Sequence, residues 1–367
     1  MSKWTFVFFS FLHVTCLALT ADERLLCTRG VVCTIKKDTL DFFVVGDTGG
    51  RAVKHSKKLQ SEPTETQLDV AASMVRQATK KPIDFVVNVG DNIYANGVSA
   101  VNDTRFKTVF EDPYSDKSLQ VPWYLIAGNH DHVGNVPPQF EYTNKSNIWT
   151  FPYYFYKASY AFGAKNTKVD FIYIDTIVLC GNTVDEKGNS ATVAEDDVPD
   201  NPERNFIMLA KKQWKWTEDQ LKASKADYLF VVGHYPIYTI SGKQTIKCLH
   251  KRLDPLLQKY KANAYLSGHH HTLQYFYDNG KKSGAELHYI ISGAGSRINN
   301  NRKKKGDVGN VKLFFRYPLI SEPKYTTGSG SGGFVSFSIG ATEGSFNFYG
   351  NGTSPLYQAT IRPRQLK

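Results

Sequence analysis

Five times along this chain a short apolar run ends at a glycine or a serine-glycine pair and is followed at once by polar, metal-competent side chains. The motifs are GDTGG from Gly46, GDNIY from Gly90, GNHD from Gly128, GHYP from Gly233 and SGHHHT from Ser267. The runs before them, DFFVV (Asp41 to Val45), Phe85 to Val89, PWYLIA (Pro122 to Ala127), DYLFVV (Asp227 to Val232) and AYL ending at Leu266, are too short for helices. They read as buried strands. Between the first two lies TETQLDVAASMVRQATKK, which predicts a helix with a Thr64 to Gln67 capping box and an apolar face of Leu68, Ala71, Ala72 and Val75. Strand, helix, strand within about 50 residues is a βαβ unit with parallel strands and a right-handed crossover. Further helices are predicted over Thr217 to Ser224 and Leu249 to Tyr260, the second interrupted by Pro255. Ligands in open α/β sheets gather at the carboxyl ends of strands, so five motifs at five strand ends imply one shared site.

The chemistry of that site follows from its donors. Asp47, Asp91, Asn129, His234, His269 and His271 offer oxygen and nitrogen without a thiolate, a set suited to iron, zinc or manganese. Strand alternation carried just past Leu266 points His269 and His271 together and His270 away. Six or seven donors are too many for one tetrahedral ion and fit two ions sharing a carboxylate, the arrangement that clamps the attacking and leaving oxygens of a phosphoryl displacement.

Past Ser292 come VKLFFRYPL, GGFVSFSI, GSFNFYG and YQATIRP, which alternate as strands should and predict a second sheet packed on the first. FIYIDTIVL reads as one more strand, and 182–204, polar and without apolar periodicity, as an exposed, protease-sensitive loop. There is no internal repeat and no linker composition. The expected organisation is a leader over 1–21, an N-terminal segment over 22–37 and a single domain over 38–367.

The leader is the one segment of different material: Lys3, a 17-residue uncharged stretch, then small residues before Asp22, the pattern of a secretory signal peptide. The stretch is short for a membrane span, and no later segment qualifies. Lys and Arg total 45 against 34 acidic residues, or 44 against 34 once Lys3 is removed, a surplus that favours anionic partners. The densest run, Arg302 to Lys305, sits in a polar loop and carries no nucleic-acid motif. Of five cysteines, Cys16 lies in the leader. The remaining four allow three pairings, of which Cys27 with Cys33 is the local option and leaves Cys180 with Cys248. Sequons at Asn102, Asn144 and Asn351 fit an exported glycoprotein.

Taken in order, GD-x-G, GD-x-x-Y, GNH-D, V-x-GH and GH-x-H resemble the five blocks of the calcineurin-like metallophosphoesterases. Tyr94 in the second block, with GHYP, the LCGN around Cys180 and the GGF near Gly333, is similar to the small, tartrate-resistant, mammalian-type purple acid phosphatases. The similarity runs from about Asp41 nearly to the C-terminus. It implies an α/β fold of four αββα layers, two mixed sheets face to face with helices outside, and a monomeric enzyme. It pairs Cys180 with Cys248 and makes the loop after Cys180 one that covers the active site and is cut on activation.

The resemblance further implies that Asp47, Tyr94 and His271 hold iron(III) and that Asp91 bridges to a divalent iron or zinc held by Asn129, His234 and His269. In that scheme iron(III)-bound hydroxide attacks a phosphate monoester in line, and His130 contacts the phosphoryl group or protonates the leaving alkoxide. Substrates would be small phosphate esters or phosphoproteins, and the compartment extracellular or lysosomal. One position departs from the pattern: nine residues after the GHYP histidine the family usually has histidine, and here stands Lys243, a phosphate-neutralising group but a poor acid at low pH. A phosphodiesterase or nucleotidase, against which Tyr94 argues, or an iron-binding redox glycoprotein would use the same blocks.

Overall fold

In the computed structural model, residues 21–52, 61–180, 182–184, 190–192, 204–241, 248–281, 284–299, 311–318, 325–326 and 331–365 are described. Two mixed sheets dominate. The first runs, edge to edge, through Tyr357–Ile361, Gly344–Tyr349, Phe334–Ile339, Leu40–Val45, Phe85–Asn88, Trp123–Leu125 and Trp149–Thr150. Its last four strands are mutually parallel, and the first three add to them antiparallel. The second runs through Val32–Ile35, Tyr156–Phe162, Thr167–Tyr173, Tyr228–Val232, Ala264–Ser267, Glu286–Ser292, Leu273–Asn279 and Lys312–Tyr317. Within it Thr167–Tyr173, Tyr228–Val232, Ala264–Ser267 and Glu286–Ser292 are parallel.

Uninterrupted apolar runs make sense here because these strands are covered on both faces. In Tyr228–Val232, Tyr228, Phe230 and Val232 enter the core between the sheets, while Leu229 and Val231 face the helical layer with Trp214, Leu221, Leu253 and Leu257. Between the sheets Phe42 stacks on Phe85 and Phe337 at centroid distances of 5.1 and 4.8 Å and meets Phe171 edge-on at 5.1 Å. Helix Glu65–Lys80 closes the outer side of the first sheet; Arg204–Ala223 and Asp254–Lys259 close the second. The four αββα layers are therefore present.

Several expectations need correction. The C-terminal strands do not form a separate sheet. Phe334–Ile339, Gly344–Tyr349 and Tyr357–Ile361 extend the sheet that holds Leu40–Val45, and Lys312–Tyr317 extends the other, because each finds an unpaired edge there. The predicted strand FIYIDTIVL ends at Tyr173, and Thr176–Cys180 is a helical turn. Asp175 starts that turn by accepting from the Ile177 and Val178 amides at 3.0 and 2.9 Å. The helix expected from Thr217 spans Arg204–Ala223 instead.

Thr64 caps its helix, accepting from the Gln67 amide at 3.0 Å, but the reciprocal half of the expected box does not form, because the Gln67 side chain turns to the Val109 carbonyl at 2.7 Å. The buried face, however, is Gln67, Val70, Ala71, Met74 and Ala78, and Leu68 is 50% exposed. Docking on the sheet thus chose a stripe rotated from the one read, centred on Val70 and Met74. Near Pro255 a π-helical turn over Leu249–Leu253 passes into the α-helix Asp254–Lys259, with the proline in its first turn, where no backbone donor is lost.

Both disulfides form, Cys27 with Cys33 and Cys180 with Cys248. The 22–37 segment joins the sandwich: Val32–Ile35 pairs with Tyr156–Phe162, and buried Arg24 donates to the Thr143 and Ser146 carbonyls at 2.8 and 2.6 Å. Lys243, Arg302 to Lys305 and residues 1–20 lie outside the described residues, as does most of 182–204, of which 182–184 pair with 190–192. No helix among the described residues is long and apolar enough to cross a membrane.

His288, buried beside Tyr275, accepts or donates at 2.9 Å through Nδ1, and burial pushes its pKa from 6.5 down to about 3. The unfolded chain therefore takes up this proton near 6.5 while the folded one resists it until about 3. The contribution is intact above 6.5 and lost as pH falls, by roughly 2–3 kcal/mol at pH 4.5. Urea unfolding at pH 7 and 4.5 is expected to show a drop that shrinks by this amount in His288→Gln.

Candidate metal centre

All seven predicted donors converge, although they stand on strands of different sheets. GDTGG, GDNIY and GNHD follow strands of the first sheet; GHYP and GHHH follow strands of the second. The carboxyl ends of both parallel sets open at the same end of the sandwich, and there the loops interlock. The Asp47 amide donates to the Gly90 carbonyl at 2.8 Å, the His269 amide to Asp47 Oδ2 at 2.9 Å, and the His130 amide to Asp91 Oδ1 at 3.0 Å.

Close approach is what the glycines allow. A Cβ on Gly128 would lie 2.2 Å from Asp91 Oδ1, and Gly90, at φ 93°, has no room for one beside the Gly128 amide and His234 Nδ1, each 2.8 Å away. Asp47, Asp91 and His269 themselves adopt φ of 56°, 55° and 67°. Left-handed backbone at a non-glycine residue costs about 1–3 kcal/mol and is kept where the surroundings enforce it. It also revises the reading of the histidine motif. The strand stops at Ser267, and the direction of His269 comes from this turn rather than from continued alternation.

The donors fall into two groups. Tyr94 Oη lies 3.1 Å from Asp47 Oδ1, 3.0 Å from Asp91 Oδ2 and 3.2 Å from His271 Nε2. Asp47, Asp91 and His271 place one ligand atom each within 4.8 Å of one another. In the second group Asn129 Oδ1 lies 3.1 Å from His234 Nε2 and 3.0 Å from His269 Nδ1, with Asp91 Oδ1 3.4 Å from His234 Nε2. Asp91 thus turns one carboxylate oxygen to each group.

His234 Nδ1 donates to the Val89 carbonyl at 2.8 Å, so Nε2 of the neutral ring is a lone pair aimed at two oxygens. Burial alone would lower this pKa, but Asp91 and Asp47 push it up to about 9. The two carboxylates thus favour positive charge at Nε2. Burial, Asp47 and Asp91 push the Tyr94 phenol far up. Burial and the neighbouring imidazoles depress His269, which favours the neutral, ligating ring. The donor set fits two cations: anionic and phenolic oxygens on one side, neutral nitrogens and an amide on the other.

The residues 40–273 match the calcineurin-like phosphoesterase family. The chain belongs to the calcineurin-like phosphoesterases. Membership brings a phosphoesterase domain with a two-metal centre. Full-length relatives narrow the group. Tartrate-resistant acid phosphatase type 5 of Rattus norvegicus is 36% identical over 90% of this chain and 94% of its own length. The Homo sapiens protein of that name is 35% identical over 89% and 92%. Purple acid phosphatase 7 of Arabidopsis thaliana is 30% identical over 89% and 87%. Two solved structures share the fold: GAP50, the anchor in the inner membrane complex of Plasmodium, with TM-score 0.68 at 23% identity over 90% and 91% of the chains, and the yellow lupin (Lupinus luteus) purple acid phosphatase PPD1, with TM-score 0.56 at 15% over 89% and 54%.

This phosphoesterase also uses side chains that the sequence reading did not assign. Buried Asp131, within the quoted GNHD, accepts from the Gly128 amide at 2.8 Å, the Asn92 amide at 3.1 Å and Gln139 Nε2 at 3.0 Å, tying the second motif loop to the third. Its signal was an aspartate in the first turn after a strand-ending glycine. His132 Nε2 meets buried Asp175 Oδ2 at 2.7 Å, anchoring the same helical turn to the second sheet. Arg297 lies against Tyr94 with no motif to announce it.

Proposed function

We propose that this phosphoesterase is an exported acid phosphatase that hydrolyses phosphate monoesters at a mixed-valence or iron–zinc pair. The observation that carries this reading is the division of Asp91, Oδ2 toward Tyr94 and Oδ1 toward His234, because a carboxylate so placed could be shared by two cations. Asp47, Tyr94 and His271 would hold iron(III), a hard trivalent ion suited to a phenolate; Asn129, His234 and His269 would hold divalent iron or zinc. When bound, the pair would acidify a water for in-line attack on phosphorus and neutralise the phosphoryl oxygens, at a pH lower than a divalent pair permits.

The chain's own residues supply the rest. His130 Nδ1 donates to the Ala95 carbonyl at 2.5 Å, which leaves Nε2 to hold or deliver a proton to the leaving oxygen. The Val89 carbonyl fixes the His234 tautomer. Export is supported by the leader composition over 1–21, by two disulfides and by sequon asparagines at 102, 144 and 351 that are all exposed. Substrates are anionic, in keeping with the basic surplus, and the chain works as a monomer.

The visible spectrum with metal analysis tests the assignment. The purified protein is expected to be purple with two metals per chain, and Tyr94→Phe to lose the visible band. A colourless protein holding only zinc would refute the tyrosinate. Comparing monoester with diester turnover separates the phosphatase from a phosphodiesterase. Lys243→His is expected to raise alkyl-phosphate turnover relative to aryl-phosphate, since a histidine can protonate a poor leaving group at acidic pH and an ammonium cannot; an unchanged ratio would remove Lys243 from the mechanism.

A further inference from the structure

The loop that follows strand Glu286–Ser292 is laced to the first motif. The Gly295 amide donates to the Gly46 carbonyl at 3.1 Å, and Ser296 Oγ to the Asp47 carbonyl at 2.6 Å. A Cβ at Gly295 would come within 2.3 Å of that same Gly46 oxygen, so the two loops are in direct backbone contact. The next residue is Arg297. Its guanidinium carbon lies 3.9 Å from the centre of the Tyr94 ring, and Nη2 donates to the Gly50 carbonyl at 3.1 Å. His130 meets the same ring edge-on at 4.7 Å. Among the described residues, no carboxylate forms an ion pair with Arg297. Tyr94 is fully buried, so little water screens the charge above it.

A cation on an aromatic face is held by the ring's negative quadrupole, and the attraction grows when the phenol becomes a phenolate. Because the charge sits over the ring rather than over the phenolic oxygen, it acts chiefly on the electrons that a metal-bound phenolate would give up. We propose that Arg297 acts through Tyr94 as a positioning and tuning residue: its stacked guanidinium stabilises the tyrosinate, raises the energy of charge transfer from it to iron, and makes that iron easier to reduce. This rests on the assignment of Tyr94 as an iron ligand. The chemistry tuned is therefore the oxidation state of the centre, on which the attacking water's acidity depends.

The test uses the full chain loaded with iron, in wild type, Arg297→Met, Arg297→Gln and Arg297→Lys, with metal content measured for each. Both neutral variants are expected to keep two metals and to shift the visible band to longer wavelength by about 10–20 nm, the size expected for removing a desolvated cation–π contact. The fraction of iron reduced by a fixed dose of ascorbate is expected to fall, and Lys to restore part of both effects. A merely structural role, through the Gly50 hydrogen bond, would lower metal content without moving the band. If Arg297→Met loses metal, Arg297→Gln, which keeps a donor for Gly50, carries the comparison. A wild-type band with unmoved bands in metal-replete neutral variants would overturn the role of Arg297 alone; a wild type without any visible band would overturn the Tyr94 assignment and this inference with it.

Discussion

Asp91→Asn is expected to leave a correctly folded chain that binds at most one metal and hydrolyses monoesters on the order of 10³-fold more slowly, or worse, since even groups that only hydrogen-bond a metal ligand cost about 10–100-fold when lost. The substitution is nearly isosteric, so the backbone amide of His130 keeps its acceptor at the Oδ1 position. What disappears is the negative charge shared by both donor groups. Without it, His234 loses the largest influence raising its pKa, and burial then favours the neutral ring. The second group would keep Asn129, His234 and His269, three neutral donors, and a divalent ion held only by these is weakly retained. Metal analysis after gel filtration, beside aryl-phosphate hydrolysis, decides the matter. Two tightly held metals with activity within tenfold of wild type would remove Asp91 as the bridge.

His130→Ala separates chemistry from metal binding. The His130 backbone amide, not its ring, contacts Asp91, so alanine leaves that hydrogen bond in place. The ring is oriented by the Ala95 carbonyl and by its edge-on contact with Tyr94 at 4.7 Å, with Nε2 left for substrate. Turnover of alkyl phosphates is therefore expected to fall by about 10²–10⁴, the range for losing a general acid. Aryl phosphates, whose leaving groups need little protonation, should fall much less. Metal content and the visible band should hold. Equal losses for alkyl and aryl esters, or loss of metal, would give His130 a role in orienting the centre instead.

Much of the site was legible in the chain because its donors carry local signals. A strand-ending glycine followed by Asp, Asn or His marks a turn that needs close backbone approach and presents a side chain able to ligate, and that close approach holds at Gly46, Gly90, Gly128, Gly233 and Gly268. Residues that support these donors were harder to read. Asp131 was in view but unassigned, since its partners, Asn92 and Gln139, lie 39 and 8 residues away. Arg297 had no local signal at all; its meaning depends on a ring two hundred residues earlier in the chain.

The sequence by itself determined the five buried strands that carry the motifs, the order of those motifs and the pairing of apolar runs with polar strand ends, because periodicity and glycine placement are properties of neighbours along the chain. It could not determine that the five motif strands divide between two sheets, that the C-terminal strands complete existing edges, or which stripe of Glu65–Lys80 is buried. Those outcomes depend on which surfaces meet after the chain folds back on itself, and burial there is weighed by total area rather than by local pattern. Only the tertiary structure could set Asp91 between Tyr94 and His234 and lay a guanidinium on the tyrosine, for both require contacts across the seam where the two sheets face each other.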